Sequence, residues 1–370
     1  MSEKSNIVPW NVIVPFVEDA FVGVGVPRKD AEVCADVLLE SDRRGIESHG
    51  VNRFKPIYYD RIIDGIQNPV TEIQFVKKTL TTAILDAHDG MGQVVAKRAM
   101  EVAIDMAKSF GMGMVAVKNS THFGIAGYYA SMATRAGCVG FVGTNARPST
   151  APTFGVENMM GTNPFTIGLP TDEEFDFLFD GATSLTQRGK VEVYDRLGIP
   201  TPAGQVIGQN GNTLTDSAAI LKGLSNGTAA LTTVGGVGEE LGGYKGYGFA
   251  SAVEILSAAF TASGYMKMLT GFDATGNKVP FHLGHYFIAI DTNAFDGEAS
   301  FRHTAGSICR ELRASKKAEG HDRIYTPGEK EYLARQRSKD TGVEINESVQ
   351  KEILAIRDEQ KLTQYRFPFE

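Results

Sequence analysis

The chain has 370 residues, 42% of them hydrophobic and 22% charged, with a formal net charge of -7. That length predicts two or three structural units with ample material for a core, and that balance is typical of a soluble globular protein. The mild acidity argues against nucleic acid or an anionic membrane as partner, since both need clustered Lys and Arg. No apolar run is long enough to span a bilayer, and Met1–Asn6 lacks a basic segment leading into an apolar one. Neither a membrane span nor a signal peptide is expected, and a cytoplasmic placement is. The three cysteines, Cys34, Cys138 and Cys309, are widely scattered. They form no pairing framework and no ligand spacing, and read as buried small apolar residues in a reducing cytosol.

Taken in chain order, Pro27 opens a helix from Arg28 to Arg44 that Gly45 stops. Phe54, Ile57, Tyr58, Arg61 and Ile62 repeat at helical spacing until Gly65. Ile73–Lys77 and Thr82–Asp86 read as short strands. Asp89 is placed to cap a long helix in which Met91, Val94, Val95, Val102, Met106 and Phe110 share a face. Met112–Lys118 reads as a buried strand, followed by a loop with His122. A helix over Ile125–Ala136 and a strand over Cys138–Thr144 complete a βαβ unit with partly parallel pairing. Phe165–Leu169 and Phe175–Phe179 read as a hairpin. The stretch from Ile199 to Gly243, rich in Gly, Thr, Asn and Ser, reads as loop. A fully buried helix is expected from Tyr247 to Gly264, and a strand from Tyr286 to Asp291. Beyond Ser300 the chain reads as helical, apart from a turn at Thr326–Gly328. The expected division is a helical part from residues 1–70 and 300–370 around an α/β region at 71–299.

Arg44-Gly-Ile-Glu-Ser-His-Gly-Val-Asn-Arg53 sets a guanidinium four residues after an imidazole, with a hydroxyl just before it. An Arg fork matches a carboxylate with two charged hydrogen bonds, and a His beside it can exchange a proton near neutral pH. Alone, a Ser-His-Gly turn reads as a helix junction. His122 lies in Asn119-Ser-Thr-His-Phe-Gly124, between strand and helix, where a catalytic and a helix-capping reading both stand. Gly242-Gly-Tyr-Lys-Gly-Tyr-Gly248 puts Lys245 among glycines at a helix start. This is either an anion cradle or a flexible turn. His282-x-x-His285 points its rings to different faces and has no further ligand nearby, so no metal site is expected. No Gly-x-Gly-x-x-Gly joins a strand to a helix, so any dinucleotide is held without the doubly wound fingerprint.

In their order and spacing these segments resemble the type-2 malate/L-lactate dehydrogenase family, together with Gly92-Gln93, Thr144-Asn145 with Pro148, Gly161-Thr-Asn-Pro164, Phe179-Asp-Gly-Ala-Thr-Ser184, Gly189-Lys190 and Pro327-Gly-Glu329. Relatives in that family act on ureidoglycolate, sulfolactate, 2,3-diketogulonate and cyclic imino acids. The resemblance runs from about Arg28 to Pro327. It implies a non-Rossmann α/β fold, a central mixed sheet with N- and C-terminal helices, NAD (or NADP) as cofactor, and an intertwined homodimer.

The resemblance also implies roles. His122 would be the general acid/base, Arg53 would clamp the substrate carboxylate, and Ser48 and His49 would orient it. Lys190 would lie near the substrate. Cofactor contacts would come from Ala146, Thr162, Asp180, Gly181, Ala182, Lys245, Gly246, Pro327, Gly328 and Glu329. The chain departs from the family pattern at Ala146, where a small hydroxyl residue is frequent, at Arg147, and at Gly181, where Met is common. The expected reaction interconverts a 2-hydroxy acid and its 2-oxo acid, malate/oxaloacetate first and L-lactate/pyruvate second. A dicarboxylate would need a second cationic contact, for which Arg44, Arg147 and Lys190 are candidates. The rival readings are a cyclic imino acid reductase and a non-catalytic carboxylate-binding homologue.

Overall fold

The computed structural model describes residues 5–370. Residues 1–4, part of the segment inspected for a leader, lie outside the described residues. The N-terminal body contains β1 (Asn6–Val8), α1 (Trp10–Gly23) and α2 (Arg28–Arg43). Single 3-10 turns at Glu47–His49 and Val51–Arg53 follow, then a π-helical turn at Phe54–Tyr59 that runs into α3 (Asp60–Ile63). Next come β2 (Gln74–Lys78), β3 (Thr82–Asp86), α4 (Gly92–Phe110), β4 (Met112–Ser120), α5 (Ala126–Arg135), β5 (Cys138–Thr144), β6 (Phe165–Leu169) and β7 (Phe177–Gly181). Further on are α6 (Arg188–Leu197), β8 (Val206–Gly208), α7 (Ser217–Asn226), β9 (Ala229–Leu231), α8 (Gly243–Ala258) and β10 (Leu283–Asp291). The chain ends with α9 (Glu298–Ala314), α10 (Glu329–Ser338), β11 (Val343–Ile345) and α11 (Glu347–Glu359).

The central sheet is mixed, in the order β2-β3-β4-β10-β5-β6-β7. Its one adjacent parallel pair is β3 with β4, joined through α4. The unit expected from β4, α5 and β5 is split. Both strands run antiparallel to β10, which inserts between them. They are therefore parallel to each other without sharing hydrogen bonds. A strand arriving from more than a hundred residues downstream leaves no mark on local periodicity.

Two large cores hold the molecule. One lies between the sheet and helices α4 and α5, with Ala96, Ala99, Met100, Ala103, Val115 and Phe287 fully buried. The other joins chain ends. Ile13, Phe16 and Phe21 of α1 pack with Leu38 of α2, Phe54 and Tyr58 of the π turn, and Ile353 of α11. β1 pairs with β11, closing the N-terminal body onto the C-terminal one.

Several expectations need correction. Asp89 does not cap α4, whose N-cap is Met91; its carboxylate pairs with His282 at 2.8 Å instead. Phe110 is exposed and leaves the buried face of α4. The stretch at 199–243 is not mere loop, for it carries β8, α7 and β9 around a small core of Val191, Val206, Ile220, Ala229 and Leu231. Asp216 caps α7 by accepting from the Ala219 amide at 3.0 Å. The helix expected at 247–264 is α8, displaced toward the N-terminus, and Phe249 and Ile255 stand exposed on it. Residues 315–328 are not helical, and β11 interrupts the C-terminal helices.

Candidate active site

The site begins where α2 stops. Gly45 (φ 71°) turns the chain, and Asp42 then holds the next turn by accepting from the Val51 amide at 2.8 Å. Burial pushes the Asp42 carboxyl up to about 8. Inside this turn the Ser48 hydroxyl meets His49 Nδ1 at 2.9 Å, and Arg53 Nε donates to the Ser48 carbonyl at 2.7 Å. One donor of Arg53 is thereby spent on orientation, and the outer ends of the fork remain. The π-helical turn that follows brings residues five apart above one another, which sets Tyr58 over Arg53.

Tyr58 is the link to His122. Its hydroxyl lies 2.6 Å from His122 Nδ1, and the two rings meet edge to face at 5.5 Å. The Gly124 amide also donates to Nδ1, at 3.3 Å. Gly124 has φ +81°, and a Cβ there would stand 2.6 Å from the Val37 side chain, so only glycine turns the chain this way beneath His122. With Nδ1 accepting from Gly124, the neutral ring carries its proton on Nε2, an assignment that rests on these hydrogen bonds. The His49 ring stacks on His122 at 5.7 Å and 21°.

Electrostatics follow from this crowding. Burial, then the Arg53 charge, lowers His49 to about 4. His122 falls well below the usual histidine range through burial first, then through His49, Arg61, Arg53 and His285. Burial drives the Tyr58 phenol upward, so it keeps its proton. At neutral pH the cluster is two neutral imidazoles and a neutral phenol beside cationic arginines.

Arg53 also faces a cleft of about 590 Å³ lined by Ser48, Asn52, Gly189, Lys190 and Glu352. A Cβ added at Gly189 would come within 3.5 Å of Arg53 Nη2, so the fork points at the start of α6. Lys190 is exposed on that wall with its ammonium 5.3 Å from the Tyr194 ring. The fold thus gathers Ser48, His49, Arg53 and His122, and sets Lys190 across the cleft. Arg44 is not available there. It is bound to Glu40 at 3.0 Å, to the Gly127 carbonyl and to Ser131.

The residues expected around a cofactor fall into three places. Ala146 packs against Gly161, and the Thr162 carbonyl accepts from the Thr183 amide at 2.9 Å. Asp180, Pro327 and Gly328 line a second cleft of about 300 Å³ with Ile46 and Phe179. Gly181 and Ala182 continue from Asp180 past the end of this wall. Lys245 and Gly246 stand apart, at the head of α8. Two side chains on that expected list are already engaged. Asp180 accepts from the Gly127 amide at 2.7 Å and the Thr166 hydroxyl at 2.8 Å, so it closes the N-terminus of α5. Glu329 is buried, paired with Arg323 and accepting from the Thr326 amide. At these two positions the carboxylate is spent on the fold, and the Glu329 amide also donates to the Thr326 carbonyl at 3.1 Å.

A dinucleotide needs donors for its pyrophosphate, and the head of α8 offers them. Its N-cap, Gly242, supplies no side-chain cap, and Lys245 is exposed with its ammonium 5.7 Å from the Tyr244 ring. The Gly242 and Lys245 amides are taken by the Glu239 and Gly242 carbonyls, so the helix dipole and the exposed Lys245 ammonium are what fit a diphosphate here. His282 and His285 serve the fold, against Asp89 and the Thr144 hydroxyl respectively. Among the described residues no group of three or more His, Cys, Asp or Glu could hold a metal.

Sequence reasoning missed two residues here, Tyr58 and Arg61. Both were counted as one helical stripe. The available signal was a tyrosine five residues after the arginine, which only a π turn brings into register.

Residues 8–354 match the family model described as malate/L-lactate dehydrogenase. The chain is 38% identical over 346 residues to malate dehydrogenase of Pyrococcus horikoshii, covering 94% of this chain and 93% of that one. It is 36% identical over 342 residues to L-sulfolactate dehydrogenase of Methanocaldococcus jannaschii, covering 92% and 93%. The crystal structure of malate dehydrogenase from Entamoeba histolytica superposes with a TM-score of 0.94 at 38% identity, over 99% of this chain and 100% of that one. Names of further relatives carry NAD(+) or NADP(+). The chain therefore belongs to the malate/L-lactate dehydrogenase family and is a nicotinamide-dependent dehydrogenase of small hydroxy acids.

Proposed function

We propose that the protein interconverts a 2-hydroxy acid and its 2-oxo acid with His122 as the proton-exchanging group, malate/oxaloacetate being the first pair and L-lactate/pyruvate the second. The observation that carries this reading is the Tyr58–His122 hydrogen bond beside the fork of Arg53. Nicotinamide, when bound, supplies the hydride acceptor for oxidation and the donor for reduction. All other steps belong to the chain's own residues. Arg53 takes the carboxylate next to the reacting carbon, with Ser48 and His49 fixing its angle and Lys190 facing it across the cleft.

His122 serves both directions because Tyr58 can either donate to or accept from Nδ1. When the ring's proton is on Nδ1 and donated to the Tyr58 oxygen, Nε2 is free as a base for the hydroxyl proton. In reduction the imidazolium, protonated on both nitrogens, gives its Nε2 proton to the nascent alkoxide and keeps the Nδ1 proton on the Tyr58 oxygen. The cations that depress His122 keep it neutral in the free protein. An anionic substrate on Arg53 offsets them, so the ring is more easily protonated in the complex.

NAD is the proposed cofactor and NADP the alternative. Backbone near Ala146, Thr162, Asp180–Ala182 and Pro327–Glu329 would border it, with Lys245 and Gly246 on its diphosphate. A homodimer is also proposed, supported by the exposed apolar residues Phe249 and Ile255 of α8; light scattering should return twice the chain mass. Three buried free thiols fit a reducing cytosol. No helix among the described residues is long and apolar enough to cross a membrane.

The test is loss of reduced-nicotinamide absorbance, with NADH and NADPH in parallel, against oxaloacetate, pyruvate, sulfopyruvate and a cyclic imine. Fast loss with an oxo acid supports the reading. Loss with the imine alone replaces it by a reductase of cyclic imino acids.

A further inference from the structure

We propose that Arg61, seconded by Arg147, binds a second anionic group on the substrate, so that the site selects 2-oxo acids carrying a distal carboxylate or sulfonate over those ending in a methyl group. The inference rests on the proposed reading of His122 and Arg53 and adds to it a binding residue that sequence patterning hid.

Arg61 follows Tyr58 by three residues on one continuous helical path, so both project from the same side. Tyr58 touches His122, so Arg61 lies one helical turn along from the residue that holds the imidazole. Arg53 stands before Tyr58 and Arg61 after it. Arg53 thus leads into the π turn and Arg61 follows it, and a short diacid has two anionic ends for two cations.

The state of Arg61 is unusual. Its guanidinium lies flat against Phe281, 4.2 Å from the ring centre. Among the described residues no carboxylate pairs with it. Burial first, with the charge of Arg147 adding to it, lowers Arg61 to about 10. Arg147 is exposed and also lacks a carboxylate. A largely buried guanidinium beside a like charge and without a counterion is costly, and a substrate anion next to it offsets that cost. The charge of Arg61 also acts on His122 more strongly than that of Arg53 does. A methyl group in that niche would leave both guanidiniums unpaired.

The experiment compares wild type with Arg61→Gln and Arg61→Lys, measuring kcat/KM for oxaloacetate and for pyruvate with the reduced nicotinamide. The expected result is a fall of about 10- to 100-fold in the oxaloacetate-to-pyruvate ratio in Arg61→Gln, carried by the KM for oxaloacetate, with partial return in Arg61→Lys. An equal fall for both substrates, or an unchanged ratio, overturns the proposal. Calorimetry on the protein with bound nicotinamide gives a second readout that needs no turnover. L-Malate should bind more tightly than L-lactate to wild type, and the difference should shrink in Arg61→Gln. Equal affinities in wild type also overturn it. Wild type that reduces oxo acids while the ratio stays fixed refutes the Arg61 subsite alone. Wild type that reduces only a cyclic imine refutes the reading beneath it.

Discussion

The proposed substrate end and the proposed cofactor end of this site are built in opposite ways. At the substrate end, polar side chains keep unused capacity. Arg53 spends one donor on the Ser48 carbonyl and keeps its fork, and His122 fixes Nδ1 on Tyr58 and leaves Nε2. At the cofactor end the carboxylates are consumed by the fold. Asp180 closes α5, and Glu329 closes the turn at Thr326. One end works by side-chain chemistry held in place by other side chains. The other, in the proposed reading, would offer a cofactor a surface that side chains have shaped. Substitutions should therefore injure turnover at the first end and stability at the second.

The largest expected effect is at the centre of the first end. His122→Ala should lower turnover by about 10²- to 10⁴-fold while nicotinamide still binds, read by steady-state rates and by nicotinamide fluorescence. Undiminished turnover would remove the distinction between the ends. Arg53→Lys keeps a charge and loses the fork, so the KM for the oxo acid should rise by about 10- to 100-fold with a smaller change in kcat. At the second end the sign of the comparison reverses. Asp180→Ala strands the Gly127 amide and the Thr166 hydroxyl, and should cost about 1–3 kcal/mol in denaturant unfolding, with little change in nicotinamide affinity. A large loss of nicotinamide binding in folded Asp180→Ala would mean that the carboxylate itself touches the cofactor. The smallest effect sharpens the first end. Tyr58→Phe should cut kcat by up to about tenfold, since one neutral hydrogen bond is lost and the ring still packs.

The difference between the ends also explains what the sequence could reveal. Strands were legible where apolar runs are bounded by turns, as in Cys138–Thr144, whose limits are those of β5. That Ser48, His49, Arg53 and His122 come together in the fold agrees with a grouping that rests on their side-chain types and on the family resemblance. β10 was read as a strand, but its insertion between β4 and β5 was not, because pairing across such a separation has no local signature. α7 was hidden by its Gly, Ser and Asn content, although Asp216 is an ordinary N-cap. Tyr58 and Arg61 were hidden for another reason. A regular helical count assigns them to a packing stripe, and the π turn shifts that count by one residue exactly where the site is formed. The commitments of Asp180 and Glu329 to the fold could not be read either, because their partners lie in other elements.

The most direct measurement is the pH dependence of kcat/KM for hydroxy acid oxidation. Oxidation needs neutral His122, and its pKa in the free protein is lowered by burial and by nearby cations. Activity should therefore persist as pH falls past 6.5, the ordinary histidine value, and be lost only at lower pH. The same acid limb should vanish from the residual activity of His122→Ala. A limb centred at or above 6.5, or one that survives unchanged in His122→Ala, would contradict the assignment of His122 as the proton-exchanging group.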